Sequence, residues 1–308
     1  MSGLPVLSAR GESIPEAWEN SILELHENGQ WYKRGDPQDN EKQVDASMLI
    51  TIENPDADLF MHKYMTCGIE DLVDYEMEIH GVRDSWEKDH SNPEDNKWDY
   101  TYHGRLTSYP TSTRPIDQLR FMINRLSERP FSRRVNAITW VPEIDTLAKD
   151  TPCLQRIGLL ITPDAKDPQI NRLNMTYNFR SRNAMIAAPM NIIGFYALQC
   201  TIRNAIREKT EMKLENGRIV DFTDSYHVST RDQGILKNFM GRYDASVLRG
   251  ETIRDRALSG EQTVFPYINS ILSERTEKII EQTKNYLSGE KLDKEITKIR
   301  KIAEKRKR

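Results

Sequence analysis

Leu173-Asn-Met-Thr-Tyr-Asn-Phe-Arg180 is the stretch on which the fold turns. Leu173, Met175, Tyr177 and Phe179 alternate with Asn174, Thr176, Asn178 and Arg180, the period-two pattern of a strand with one face in the core. Upstream, residues 157–162 read as a buried strand and residues 135–140 as another. Further back, Ile116, Leu119, Met122, Ile123 and Leu126 fall on one face of an amphipathic helix. Downstream, Pro189 opens an apolar helix through about Arg207, long enough to be the central buried helix. Asn216-Gly217, between residues 212–214 and 218–221, is the hairpin signal. Residues 29–44 and 88–97 are rich in turn formers and read as polar surface loops. Strands cluster in the middle of the chain and do not alternate regularly with helices. This excludes a doubly wound α/β sheet and predicts an α+β fold, a mixed or antiparallel sheet around a long buried helix.

The chain has 308 residues, 44 Lys/Arg against 47 Asp/Glu, a net charge of −3 and a mean hydropathy of −0.69. Its length supports a sizeable core. No apolar run approaches the length that spans a bilayer, and the N-terminus lacks a basic segment followed by a long apolar one. Cys67, Cys153 and Cys200 are too few and too scattered for a disulfide framework or a structural zinc site. A cytoplasmic protein is expected, with no metal and no membrane partner. From Glu290 onward there are nine Lys/Arg and four Asp/Glu, a net of +5; against the total of −3 this leaves −8 on the preceding 289 residues. Residues 1–289 are therefore read as one catalytic domain and 290–308 as a basic tail, with Leu292, Ile296, Ile299 and Ile302 at helical spacing. The tail reads as a solvated helix, with a nucleic-acid or acidic-protein contact as the alternative. An acidic core argues against nucleic acid as the main partner.

Cys153 stands out by its neighbours, Asp150-Thr-Pro-Cys153-Leu, at the end of a polar linker and just before an apolar strand. A thiolate nucleophile needs access and a positive field. Arg133 and Arg134 lead into the preceding strand and are expected to return to this edge of the sheet, where Arg180 joins them.

Five motifs stand in order: Ser132-Arg133-Arg134, Pro152-Cys153, Phe179-Arg180-Ser181, Pro189-Met190-Asn191 and Asp224-Ser225-Tyr226-His227. Together they resemble the thymidylate synthase family over roughly residues 70 to 235. Tyr100-Thr-Tyr-His-Gly-Arg-Leu106 and residues 132–140 look most like its archaeal and bacteriophage branches, which include pyrimidine nucleotide hydroxymethyltransferases. The resemblance implies that Cys153 adds to C6 of a pyrimidine nucleotide, making C5 nucleophilic toward a one-carbon unit from 5,10-methylenetetrahydrofolate. It implies a phosphate clamp of Arg133, Arg134, Arg180 and Ser181, whose guanidinium groups suit a dianion. The Arg133–Arg134 pair would be lent by the second subunit of a homodimer. Asn191 would read the base, donating to O4 and accepting from N3–H of uracil. His227 would touch the sugar, Tyr102 would assist proton removal from C5, and Glu76 would be the catalytic carboxylate, with Glu78 the alternative. Lys33-Arg34 is the candidate for a mobile phosphate loop. Two positions depart from the family pattern: Ser229 stands where the family usually has Tyr, and Asn183 where a carboxylate is common.

Family members differ in how the transferred carbon ends. A synthase excludes water and reduces the exocyclic methylene with folate hydride; a hydroxymethylase admits water. A charged, basic C-terminal helix makes a poor water barrier. The favoured expectation is a dUMP hydroxymethyltransferase giving 5-hydroxymethyl-dUMP. The alternatives are a thymidylate synthase proper and a (d)CMP 5-hydroxymethylase.

Overall fold

The computed structural model describes residues 3–33, 42–88, 92 and 94–306. In chain order the elements are β1 (Val6–Gly11), α1 (Ile14–Asn28), β2 (Gln30–Tyr32), β3 (Gln43–Ile52), β4 (Leu59–His62), α2 (Ile69–Ile79), α3 (Tyr102–Thr107) and α4 (Gln118–Glu128). They continue with β5 (Asn136–Ile138), α5 (Pro142–Asp145), β6 (Leu154–Pro163), β7 (Asn171–Phe179), β8 (Arg182–Asn183), α6 (Ala187–Arg207) and β9 (Leu214–Val228). The last are α7 (Gln233–Leu248), α8 (Ile253–Arg256), β10 (Ala257–Ser259), α9 (Phe265–Thr283) and α10 (Gly289–Arg306).

Among the described residues the main sheet has eight strands in the order β1-β3-β9-β7-β6-β5, with β2 on β3 and β8 on β9. It is mixed: β1 runs parallel to β3 and β7 to β9, while β3–β9, β6–β7 and β5–β6 are antiparallel. The alternation in β7 lands as its sequence requires, with Leu173, Met175, Tyr177 and Phe179 all buried. Against that face lies α6, apolar nearly all round, with Ile192, Ile193, Phe195, Ala197, Leu198 and Ile202 inside. Helix α1 covers the β1–β3 end through Ile14, Ala17, Trp18, Ile22 and Leu25. The opposite sheet face carries a row of cross-strand neighbours, Leu49, Phe222, Asn178, Arg156 and Ile138, none of them fully buried. Three of these five residues, Leu49, Phe222 and Ile138, are apolar.

Several expectations need correction. Asn216-Gly217 makes no hairpin; both residues lie inside β9, where the β7 pairing jumps from Leu173↔Asn216 to Met175↔Ile219. The Asn216 amide donates to Asp56 at 2.7 Å and to Cys200 Sγ at 3.1 Å, so an irregular, bulge-like register replaces the turn. Residues 29–44 are not all loop, because β2 and the start of β3 fall within them. Ile116 is exposed and bridges Tyr109 rather than joining α4. Helix α6 begins at Ala187, two residues before Pro189. No helix among the described residues is long and apolar enough to cross a membrane.

The basic C-terminal segment is docked. Ile299 is fully buried and Ala303 nearly so, both within the main core cluster. Arg306 Nη1 reaches Thr201 Oγ1 on α6 at 3.4 Å, and Lys298 pairs with Asp84 at 3.7 Å. Ile299→Ala should therefore destabilise the whole protein by about 2–4 kcal/mol. The check is urea unfolding followed by a core probe. An unshifted midpoint would mean that α10 is an appendage.

Candidate active site

Cys153 sits on a short segment entering β6, and that segment is strapped from three sides. The Cys153 carbonyl accepts from the Arg180 backbone N–H at 2.8 Å, which ties it to the end of β7. The Arg180 guanidinium donates to the Pro152 carbonyl at 3.1 Å and to the Thr151 carbonyl and hydroxyl at 2.9 and 2.8 Å. Tyr100 Oη donates to the Thr151 carbonyl at 3.3 Å, and Tyr102 Oη accepts from the Leu154 N–H at 3.3 Å. The thiol is half-buried, and burial pushes its pKa above the ordinary 9.0; Asp150 adds to the shift, while Arg180 and Arg182 oppose it. Cationic neighbours soften the cost of ionising the sulfur here but do not overcome it.

The thiol faces a cleft of about 690 Å³ whose walls include Tyr75, Glu78, Tyr102, Ser181, Asn191 and His227. Of the residues expected from sequence, Cys153, Tyr102, Ser181, Asn191 and His227 thus meet in one place, supplied by α3, α6, the 153–154 junction, the β7–β8 break and β9. Beside it lies a depression of about 450 Å³ sharing Tyr75, Glu78 and Met190. The combined space suits two ligands held side by side.

Arg182 also lines the cleft, and the sequence reading missed it. It is 3% exposed, pairs with buried Asp221, and lies 4.5 Å over the Phe179 ring. The bend at residues 180–181 interrupts the strand, so its side chain turns inward where unbroken alternation would point it out.

Glu76 and Glu78 separate cleanly. Two residues apart on a helix they face different ways. Glu76 is buried at 3% exposure away from the cleft, whereas Glu78 is on its wall, bonded to Arg83 Nη1 at 2.8 Å. Burial raises the Glu78 carboxyl, Asp84 and Asp74 add to this, and Arg83 opposes it. Glu76, the first choice of carboxylate, is thus not among the cleft walls, and Glu78, the alternative, is.

Arg133 and Arg134 do not return to Cys153 within one chain. β5 runs antiparallel to β6, with Asn136 opposite Gly158 and the Val135 carbonyl bonded to Leu159 N–H. Both arginines therefore lie roughly 20 Å along the strand from the thiol. They are exposed and line a separate depression with Arg125 and Arg129. Lys33 is exposed; Arg34 lies outside the described residues.

The two departures from the family pattern are linked. Asn183 donates from Nδ2 to Asp232 at 2.8 Å and accepts the Met185 and Ile186 backbone N–H groups at 3.0 and 3.1 Å. Ser229 Oγ donates to the same Asp232 oxygen. A carboxylate at 183 would set two like charges against each other, so the amide is the residue that Asp232 permits.

The family model described as thymidylate synthase matches residues 59–249. The chain belongs to the thymidylate synthase family, whose members transfer one-carbon units using methylenetetrahydrofolate. Proteins of Methanosarcina barkeri and Methanosarcina acetivorans, each named "Putative thymidylate synthase", are 24% and 26% identical over 231 residues, 75% of this chain and 93% of theirs. The solved thermostable thymidylate synthase A of Bacillus subtilis shares the fold at a TM-score of 0.55 and 17% identity, over 74% of this chain and 84% of that one.

The three cysteines should react differently. Burial pushes Cys67 to about 12, and half-buried Cys200 is also raised while it accepts from Asn216. With iodoacetamide at pH 8–9, Cys153 should be modified first. Because its pKa is raised, its rate should keep climbing with pH past the range of a free thiol. Peptide mapping by mass reads both, and equal labelling of all three would contradict the geometry.

Proposed function

We propose that this protein transfers a one-carbon unit from 5,10-methylenetetrahydrofolate to C5 of dUMP and releases 5-hydroxymethyl-dUMP. The observation that carries the reading is the meeting of Cys153, Tyr102, Ser181, Asn191 and His227 on one cleft with Glu78. In this reading the Cys153 thiolate bonds to C6, and the pair from the C5–C6 double bond moves to C5. The folate supplies a carbon at the oxidation level of formaldehyde, which becomes bonded to C5. Loss of the C5 proton and of tetrahydrofolate leaves an exocyclic methylene. Water then adds to that carbon as the Cys153–C6 bond breaks, restoring the ring.

The residues of this chain divide the remaining work. Glu78, whose carboxyl burial raises above the ordinary range, is placed on the cleft to carry protons. Burial keeps Tyr102 protonated, so it orients water and the departing proton rather than acting as a base. Ser181, with charge support from Arg180, serves the phosphate, Asn191 the base and His227 the sugar. Lys97, Asp99, Asp150 and Glu78 ring the cleft, and such ionic groups hold water close to the methylene. That wall favours hydroxymethylation over reduction to dTMP.

We assign the working state to a homodimer. The largely apolar row Leu49, Phe222, Asn178, Arg156 and Ile138 is a sheet face of the kind that packs on a second copy. Exposed Arg133 and Arg134 at its edge are then free to enter the partner's cleft and complete the phosphate clamp.

Two experiments test this. Incubation with methylenetetrahydrofolate and dUMP should yield a product heavier than dTMP by one oxygen, with tetrahydrofolate as co-product; dTMP with dihydrofolate would make the protein a synthase proper. Cys153→Ala and the Arg133→Ala/Arg134→Ala double variant should each lose turnover. Mixing the two should restore part of it, because a hybrid dimer holds one intact cleft. No recovery after subunit exchange would remove the shared site.

A further inference from the structure

His227, on the wall of the cleft, is backed by a carboxylate that the motifs do not include. The pairing of β3 with β9 jumps from Met48↔Thr223 to Ala46↔Tyr226, so Asp224 and Ser225 both stand against Ser47. This bulge shifts the alternation of β9 by one residue. Tyr226 and Val228 go to the core, and Ser225 and His227 point together to the other side. Directly across from His227 is Asp45 of β3, which is 5% exposed. Its two carboxylate oxygens accept from Ser225 Oγ at 3.0 and 2.9 Å, and Oδ2 also accepts from Tyr32 Oη at 3.1 Å. His227 Nδ1 lies 3.2 Å from the Ser225 carbonyl oxygen and 3.4 Å from Ser225 Oγ.

We propose that Asp45 is a positioning residue that, through Ser225, holds the His227 proton on Nδ1 and so presents Nε2 to the nucleotide sugar as an acceptor. The part played by the sugar rests on the assignment of His227 above; the hold on the ring does not. A hydroxyl donates or accepts, and Ser225 alone would let either tautomer stand. Asp45 removes that freedom. A carboxylate only accepts, so it takes the Ser225 proton and leaves the Ser225 lone pairs for Nδ1. The Ser225 carbonyl, also an acceptor only, faces the same nitrogen. Nδ1 therefore meets two acceptors and carries the proton, which leaves Nε2 of the neutral ring bare. A sugar hydroxyl meets that nitrogen by donating to it. A fluorine in the same place has no proton to give.

Nitrogen-15 NMR of histidine-labelled protein at about pH 8, where an ordinary imidazole is neutral, reads the tautomer without any turnover. His227→Gln assigns the signal. Wild type should carry the proton on Nδ1. Asp45→Ala frees the Ser225 hydroxyl to donate to Nδ1, so the form protonated on Nε2 should appear. Asp45→Ala combined with Ser225→Ala leaves only the carbonyl beside Nδ1 and should restore the wild-type tautomer, a rescue that mere loss of structure would not give. The second readout is the ratio of Kd values for dUMP and its 3′-deoxy-3′-fluoro analogue. Wild type should favour dUMP by about tenfold or more, Asp45→Ala should narrow the gap, and the double variant should reopen it. A wild-type ring protonated on Nε2, or on both nitrogens, would overturn the proposal whether or not the variants fold. An unchanged tautomer in Asp45→Ala would overturn the role of Asp45 and leave the reading of His227 standing. The expected tautomers with equal Kd values in wild type would overturn the sugar contact of His227 and leave the hold of Asp45 on the ring.

Discussion

The hold of Arg180 on residues 151–153 is the interaction on which the site depends. Its backbone N–H fixes the Cys153 carbonyl, and its guanidinium ties down Thr151 and Pro152. One residue at the end of β7 thereby sets where β6 begins and how the thiol is presented. The consequence for chemistry is a divided arginine. A guanidinium bound to two carbonyls and a hydroxyl retains its charge but has few N–H groups left for a phosphate. In the proposed dimer, the partner's Arg133 and Arg134 supply what Arg180 has committed to structure.

Burial acts on the cleft residues in a consistent direction. It raises Cys153, Glu78, Tyr75 and Tyr102 together, so the resting site is biased toward neutral, protonated groups. For the carboxyl this is an asset, since a raised pKa suits a proton carrier near neutrality. The thiol bears the opposite consequence, because it reacts as the anion. Arg182, buried against Asp221 and aromatic rings, is a fixed cation that offsets part of that cost without being exposed to solvent. Asp232 plays a comparable organising part at the far wall, where it dictates an amide at 183 and engages Ser229.

Much of this was legible in the sequence where the signal was periodic or local. The alternation of β7 gave its buried face residue by residue, and the apolar content of α6 marked it as central. Five of the expected site residues converge because each belongs to a short motif next to a regular element. What was not legible came from breaks in regularity and from long-range pairing. Asn216-Gly217 has the composition of a turn, but its amide bonds to Asp56 and Cys200 hold it in a strand. Arg182 points inward only because the strand bends at 180–181. β5 carries Arg133 and Arg134 away from the thiol because its register with β6 is antiparallel, which spacing alone does not encode. The choice between Glu76 and Glu78 needed the rotation of α2 about its axis. Asp45 could not be found at all without the pairing of β3 with β9.

The central claim is that Cys153 bonds to C6 of a uracil nucleotide. It is tested most directly by replacing the C5 hydrogen of dUMP with fluorine, which cannot leave as a proton does. Intact-protein mass spectrometry with this analogue and methylenetetrahydrofolate should show a covalent complex carrying both ligands. Digestion should place it on the peptide containing Cys153, and Cys153→Ser should abolish it. A complex on another residue, or its persistence in Cys153→Ser, would contradict the assignment.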